Sequence, residues 1–259
     1  MFAIAKLYEL PHSMQELSRV ARQGSGSACR SLFGGYVAWN MGERSDGLDS
    51  EAELILPQSE WPEMRALILV ANAGPKAIGS SVGMQMTVQT SSLFKERIER
   101  TVPERMKLMR KTILERDFRT FADLTMRDSN SFHATCLDTF PPIVYMNDVS
   151  KSIMMLVHQM NSQDVIAAYT CDAGPNVVIY FEDRSRTTVL GTFAKVFQDT
   201  KLSASRALQG AMPSGSNDLD AALIRVIATG VTDLIGTGVG DGPRLVEDHL
   251  ITAEGILVK

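Results

Sequence analysis

Cysteine and histidine are scarce in this chain of 259 residues, which has three of the first and four of the second. Cys29, Cys136 and Cys171 lie far apart, so the sequence shows neither a paired disulfide framework nor a CxxC zinc motif. Such sparse thiols are typical of a reducing compartment, and we therefore predict a cytosolic location.

Long apolar runs are missing as well. The longest, over 66–71, has the length of a buried strand, whereas crossing a bilayer takes roughly 20 residues. The first ten residues lack the long apolar core of a secretion signal. We therefore expect neither membrane insertion nor secretion.

An excess of positive charge is also absent, because 26 lysines and arginines face 30 aspartates and glutamates, a formal net charge of −4. Proteins dedicated to nucleic-acid binding are usually basic, so this balance argues against that class. It does not argue against a local basic pocket for a small anion.

The chain does contain clear signatures of both helices and strands. Ser13 and Glu16 have the spacing of a capping box before an apolar stripe, which predicts a helix over 13–23. Pro103 fits the first turn of another helix, and Asp117 is a candidate N-cap for the next. We also predict helices over 145–160 and 189–197, strands over 66–71, 165–169 and 177–181, and a surface loop over 203–217. Because strands and helices do not alternate strictly, the pattern favours an α+β fold.

Residues 25–30, Ser-Gly-Ser-Ala-Cys-Arg, are the first segment that could carry chemistry. Small residues let backbone amides and two hydroxyl groups approach a phosphate, and Arg30 offers a planar fork for a carboxylate or phosphate. An ordinary surface loop with a solvated arginine has the same composition, and the residues alone leave both interpretations open.

Four other segments have a structural interpretation beside the functional one. Asp172 follows a predicted strand before a Gly-Pro turn, where it could be catalytic or could hold the turn, and the residues alone favour the turn. His133 could be an acid or base, but a partly buried helix histidine is the simpler interpretation. Ser80 and Ser81 precede a helix that we expect to begin near Met84, which they could cap, or they could bind an anion there. The glycines of 238–243 are weak evidence for a nucleotide.

Taken together, four stretches resemble the diphosphomevalonate decarboxylase family of the GHMP superfamily in order and spacing. They are 21–39 (ARQGSGSACRSLFGGYVAW), 95–106, 128–148 and 167–181 (AAYTCDAGPNVVIYF). The resemblance implies a two-lobed GHMP-kinase-like α+β architecture, with 1–59 as the remainder of a truncated first lobe and 60–259 as the second. It also implies ATP with Mg²⁺ as cofactors, a homodimer and a cytosolic location.

The family converts (R)-5-diphosphomevalonate and ATP into isopentenyl diphosphate, carbon dioxide, ADP and phosphate. By resemblance, Asp172 is the catalytic carboxylate at the tertiary hydroxyl, kept ionised by a nearby arginine, and Arg30 orients the substrate carboxylate. The residues matched to substrate binding are Ser25, Gly26, Ser27, Ala28, Cys29, Arg30, Ser80 and Ser81. No metal ligand follows from the resemblance.

At its front the chain departs from the family pattern. Members carry a Lys-Tyr-Trp-Gly-Lys type motif and a Gly/Ser-rich loop for the ATP phosphates, and this sequence shows neither. We therefore expect a first lobe with exposed sheet edges. Two alternatives stand beside the decarboxylase: a GHMP small-molecule kinase, and a truncated member that binds a diphosphate ligand or a partner without turnover. Cys171 also replaces a usual aromatic residue beside Asp172.

Overall fold

A computed structural model describes residues 1–71, 78–214 and 219–246, and they form two compact units. The first unit takes Met1–Glu60 and the described residues from Val239 on, and the second takes the described residues of Trp61–Gly238. The division into GHMP lobes at 1–59 and 60–259 stays a prediction. Within the described ranges, no helix is both long enough and apolar enough to span a membrane.

The first unit combines two helices with a two-stranded antiparallel ribbon. Its elements are α1 (Phe2–Leu7), α2 (Met14–Gly24), β1 (Tyr36–Trp39) and β2 (Ala52–Leu56). The capping box of α2 is confirmed, because Ser13 Oγ accepts from the Glu16 amide while the Glu16 carboxylate accepts from the Ser13 amide. Buried Ser18 of α2 accepts from the Ala52 amide at 2.9 Å and so joins helix to ribbon.

The second unit is built on a four-stranded antiparallel sheet of order β4-β5-β3-β6. Its strands are β3 (Met64–Ala71), β4 (Ala168–Cys171), β5 (Val177–Glu182) and β6 (Val231–Gly238). Its α-helices are α3 (Ser80–Thr90), α4 (Ser92–Glu96), α5 (Val102–Glu115), α6 (Phe118–Asp138), α7 (Asp148–Met160), α8 (Arg186–Val196) and α9 (Ala221–Gly230). The α+β prediction is confirmed.

The main core of the second unit joins the sheet to α7, α8 and α9. Its fully buried members include Leu67 of β3, Ile179 of β5, Leu156 of α7 and Phe193 of α8. Helix α6 packs separately on the sheet, where Phe121 meets the rings of Trp61 and Tyr180 edge to face. Further along α6, Asn130 accepts from the Tyr169 hydroxyl, which places the helix beside β4, the strand that precedes Asp172.

Side chains that bond backbone groups account for two shifted boundaries, and a predicted loop has more structure than expected. The helix predicted over 145–160 begins at Asp148, because Asn147 caps it. The strand predicted over 165–169 runs over Ala168–Cys171, because Asn161 bonds the backbone of Ile166 and Ala167. The loop predicted over 203–217 contains short 3₁₀ turns with buried Leu208, while 215–217 lie outside the described residues.

Candidate functional site

Residues 25–30 form a tight turn at the end of α2. Ser25, Ser27 and Arg30 are exposed, whereas the Cys29 side chain is fully buried and donates to the Gly26 carbonyl. The hydroxyl groups of Ser25 and Ser27 lie 3.0 Å apart. The turn therefore offers two hydroxyls and a guanidinium at its surface, and Cys29 contributes no side chain to it.

The backbone of this turn is only partly engaged. Ala28 and Arg30 donate their amides to the carbonyls of Ser25 and Ser27 at 3.1 and 3.2 Å. Among the described residues, no backbone carbonyl accepts a hydrogen bond from the amides of Gly26, Ser27 and Cys29. Amides left unpaired in a turn of small residues can bind an anion, so the phosphate interpretation fits this geometry.

Gly26 is required by a neighbouring aromatic ring. A β-carbon built on Gly26 would lie 2.6 Å from Cζ3 of Trp39. The Trp39 indole in turn donates to Ser50 Oγ at 3.1 Å. The ribbon β1–β2 therefore holds the turn in a shape that only glycine permits at this position.

Asp172 occupies the turn between β4 and β5 in the second unit. Its side chain is exposed, and Oδ1 accepts from the Ala173 amide at 2.8 Å. The Gly174 amide donates to the Asp172 carbonyl at 2.7 Å. Asp172 thus holds its turn, as the residue type suggested, yet the same carboxylate faces solvent. Among the described residues of this unit, no arginine forms an ion pair with it.

The far side of this turn is anchored twice. Ser150, buried at the start of α7, donates its hydroxyl to the Pro175 carbonyl at 2.7 Å. Asn176 accepts from the Ala71 amide at the end of β3 at 3.1 Å. The Asp-Ala-Gly-Pro-Asn sequence is therefore tied both to a helix and to the central strand.

The near side of the turn is held by α6. The Cys171 amide donates to Ser129 Oγ at 3.0 Å, and His133 Nε2 lies 3.3 Å from the Cys171 carbonyl. Burial lowers the pKa of His133, against smaller opposing effects of the Cys171 carbonyl and the Asp172 charge. Burial also raises the pKa of Cys171 to about 11, so this thiol stays protonated and is no nucleophile at neutral pH.

Ser80 and Ser81 are the first residues of α3, and both are exposed. The prediction that the helix begins near Met84 with these serines as caps is wrong, since Gly79 is the N-cap and no side chain caps the helix. Tyr145 packs against Gly83 one turn later. Burial, with lesser effects of Cys136 and the Asp172 charge, raises the pKa of Tyr145.

Sequence reasoning missed three features around Asp172. Ser129 and His133, which contact the backbone of Cys171, are four residues apart in α6, a spacing that places both on one helix face. Tyr145 gave no signal, because its contact depends on the tertiary fold. Asp128 of α6 accepts from both Arg97 and Arg105, whose hydrogen bonds and charges outweigh burial and hold its pKa below the usual value.

The structure also bears on the glycines of 238–243 and on metal ligands. The glycines near the chain end pack within the first unit, where Gly35 donates to the Gly240 carbonyl at 2.8 Å and Gly34 lies against Asp241. They serve packing there. The parts of the chain that the structure describes hold no group of three or more His, Cys, Asp or Glu side chains suited to a metal ion.

Two family models match the chain over most of its length. The mevalonate 5-diphosphate decarboxylase C-terminal domain matches residues 66–246. The diphosphomevalonate decarboxylase-like N-terminal domain matches residues 1–52.

Individual relatives agree with these models. The diphosphomevalonate decarboxylase of Gibberella zeae is 53% identical over 251 residues, covering 96% of this chain and 65% of the relative. A 2.3 Å crystal structure of mevalonate 5-diphosphate decarboxylase shares 48% identity at a TM-score of 0.86, over 98% of this chain and 67% of that one. The structure of MDDEF in complex with MVAPP, AMPPCP and magnesium shares 28% identity at a TM-score of 0.68, over 90% of this chain and 61% of that one. The chain thus spans about two thirds of the length of the relatives it matches.

Proposed function

The chain belongs to the diphosphomevalonate decarboxylase family, and we propose that it carries the substrate-binding and decarboxylating residues of such an enzyme. The proposed reaction converts (R)-5-diphosphomevalonate and ATP into isopentenyl diphosphate, carbon dioxide, ADP and phosphate. The observation that carries this proposal is the exposed carboxylate of Asp172 on a turn anchored at both ends. A fixed carboxylate at the surface is what proton abstraction from a bound hydroxyl requires.

Asp172 has the role of proton acceptor in this proposal. The tertiary hydroxyl oxygen of the substrate takes the terminal phosphoryl group of ATP while its proton passes to Asp172. The carbon–oxygen bond then breaks and phosphate leaves with the bonding electrons. The bond to the substrate carboxylate supplies the electron pair of the new double bond, and carbon dioxide departs.

Arg30 and its neighbours bind the two charged ends of the substrate in this proposal. The Arg30 guanidinium orients the carboxylate, and a planar fork suits that group. Ser25, Ser27 and the unpaired amides of Gly26, Ser27 and Cys29 donate to the diphosphate, which needs many donors. Ala28 keeps the turn small, and Ser80 and Ser81 meet the substrate from the start of α3.

ATP is the proposed co-substrate, with magnesium. Support comes from the related MDDEF complex, which contains AMPPCP, an ATP analogue, and magnesium. The described residues do not include a cluster of side chains that fits a metal ion, so we assign no magnesium ligand and no step to the metal. We also propose a homodimer, a cytosolic location and GHMP lobes at 1–59 and 60–259.

The test is calorimetric titration of the chain with Mg-ATP and, separately, with diphosphomevalonate, paired with assays of ADP and carbon dioxide. Binding of both ligands, with ADP and carbon dioxide formed in equal amounts, supports the proposed decarboxylase. ADP without carbon dioxide identifies a small-molecule kinase instead. Binding of diphosphomevalonate without either product identifies a non-catalytic family member, and no binding at all contradicts the proposed substrate.

A further inference from the structure

Cys171 is the last residue of an edge strand, and its backbone is held by a helix. Among the strands of the described ranges, β4 has one neighbour, β5. Groups on the free side of an edge strand need partners other than a strand. Ser129 and His133 of α6 supply them: one accepts from the Cys171 amide and the other lies at bonding distance from its carbonyl.

Both side chains are buried where they make these contacts. Ser129 is 5% exposed and His133 is 3% exposed. A buried neutral histidine with Nε2 facing a carbonyl donates its proton there, since a carbonyl can only accept. The His133 ring also packs edge to face on Phe132, with centroids 5.0 Å apart. The pair therefore holds both backbone groups of Cys171, the amide with an acceptor and the carbonyl with a donor.

Helix α6 is itself fixed against its surroundings near this point. Asp128, one residue before Ser129, is bonded by Arg97 and Arg105, both largely shielded from solvent. On the strand side, the Tyr169 hydroxyl donates to Asn130 Oδ1 at 3.1 Å. Contacts of Asp128 and Asn130, the two neighbours of Ser129 in the sequence, thus hold the helix in place along the strand.

From this geometry we propose that Ser129 and His133 are positioning residues, which hold the backbone amide and carbonyl of Cys171 and thereby fix the Asp172 carboxylate. Asp172 follows Cys171 directly, and the other end of its turn is anchored through Pro175 and Asn176. Loosening the α6 side frees the carboxylate to move, whereas the chemistry needs it in one place. The catalytic consequence rests on the proposed function of Asp172; the backbone contacts do not.

The experiment compares variants that remove the contact with variants that keep it. Ser129→Ala and His133→Leu remove a partner of Cys171. Ser129→Thr and His133→Gln retain a hydroxyl and an N–H donor. Ser131→Ala is the matched helix control, because this serine accepts from Arg97. His158→Gln is the histidine control, because its ring faces the Tyr169 hydroxyl.

The first readout is amide hydrogen exchange at Cys171, which needs no turnover. Loss of one hydrogen bond predicts exchange about fivefold to tenfold faster in Ser129→Ala, with wild-type exchange in Ser129→Thr and Ser131→Ala. Exchange at Cys171 as slow in Ser129→Ala as in the unaltered chain overturns the proposal. Equally fast exchange in Ser131→Ala also overturns it, because the effect is then a general loosening of α6.

The second readout tests the position of the carboxylate through His133. Removing the Asp172 charge with Asp172→Asn lowers the pKa of His133, since that charge favours the imidazolium. If Ser129 fixes the carboxylate, this lowering is smaller in a Ser129→Ala background, as ring nitrogen shifts in NMR would report. An identical lowering in both backgrounds overturns the proposal.

The third readout is turnover of diphosphomevalonate. We expect kcat to fall about tenfold in Ser129→Ala and His133→Leu, KM to change less than twofold, and Ser129→Thr and His133→Gln to recover most of kcat. A raised KM at unchanged kcat contradicts a positioning role. Turnover that survives Asp172→Asn instead refutes the proposed role of Asp172, while the exchange measurement still decides whether Ser129 holds Cys171.

Discussion

Gly83 lies directly against the hydroxyl of Tyr145: a β-carbon built on the glycine falls 2.6 Å from Tyr145 Oη. The glycine belongs to the first turns of α3, the helix that begins with Ser80 and Ser81. Tyr145 lies close enough to Asp172 to feel its charge. One side chain therefore links the start of α3 to the surroundings of the proposed catalytic carboxylate.

The effect of Gly83→Ala on the free energy of unfolding should depend on whether the Tyr145 hydroxyl is present. Alanine favours a helix over glycine by about 1 kcal/mol, but here its methyl group displaces Tyr145. In a Tyr145→Phe background the oxygen is gone and Ile143 Cδ1, 3.3 Å from the built β-carbon, is the remaining close neighbour, so the same substitution should cost less stability. A double-mutant cycle by urea denaturation measures the difference. Equal effects of Gly83→Ala in both backgrounds would contradict the contact.

Gly26→Ala should disturb the proposed diphosphate turn. Its methyl group would meet the Trp39 ring, so either the ring or the turn must move. We expect weaker binding of diphosphomevalonate, measured by calorimetry. Gly24→Ala is the matched control, since nothing lies within 4 Å of a β-carbon there, and its affinity should remain that of the unaltered chain. Equal affinities of both variants would argue against the turn as a binding element.

Asp172→Asn should abolish turnover while substrate still binds. The amide oxygen can still accept from the Ala173 amide, so the turn is retained, but the side chain no longer accepts a proton. General-base catalysis is typically worth about 10²–10⁴-fold, and we expect kcat to fall by that much. Calorimetry should show a dissociation constant within a few-fold of the original. Near-normal turnover rules out the assigned role.

Arg30→Ala should lower kcat/KM by more than about tenfold, because a hydrogen bond to a charged group is worth roughly 1.5–3 kcal/mol. Arg30→Lys retains the charge but not the planar fork, and should recover part of the loss. The side chain is exposed, so thermal stability should barely change in either variant. An unaltered rate in Arg30→Ala removes this residue from the mechanism.

His133 should make the second unit sensitive to acid below neutral pH. Its pKa in the folded chain lies below the ordinary 6.5, because burial disfavours the imidazolium. The unfolded chain therefore binds the proton first, and stability falls as pH drops below about 6.5 toward the folded pKa. Comparing denaturation midpoints at pH 7.5 and 5.5 measures the loss, which His133→Gln should reduce.

Local features of the sequence predicted local structure well. The capping box at Ser13 and Glu16, the N-cap at Asp117 and the first-turn position of Pro103 are all confirmed, because each depends on neighbours within a few residues. The residues that surround Asp172 could not be predicted from local sequence in the same way. His133 and Cys171 are 38 residues apart, and only the packing of α6 on β4 makes them neighbours.

The same limit explains the errors at Ser80 and at the strand before Asp172. An exposed serine in the first turn of a helix has the same sequence signature as a serine that caps it, so the sequence did not reveal that α3 begins at Ser80 and not near Met84. Asn161 removes Ile166 and Ala167 from the predicted strand by bonding their backbone, which apolar alternation does not reveal.

The two units have cores of unequal extent, and each contains one of the two tryptophans. The cluster around Ala5, Leu17, Ala21 and Leu32 belongs to the first unit, while the second has the larger core of its sheet and helices. Trp39 belongs to the smaller unit and buried Trp61 to the larger one, so the fluorescence of each reports on its own unit. Each tryptophan is therefore an intrinsic fluorescent probe for the unfolding of its own unit.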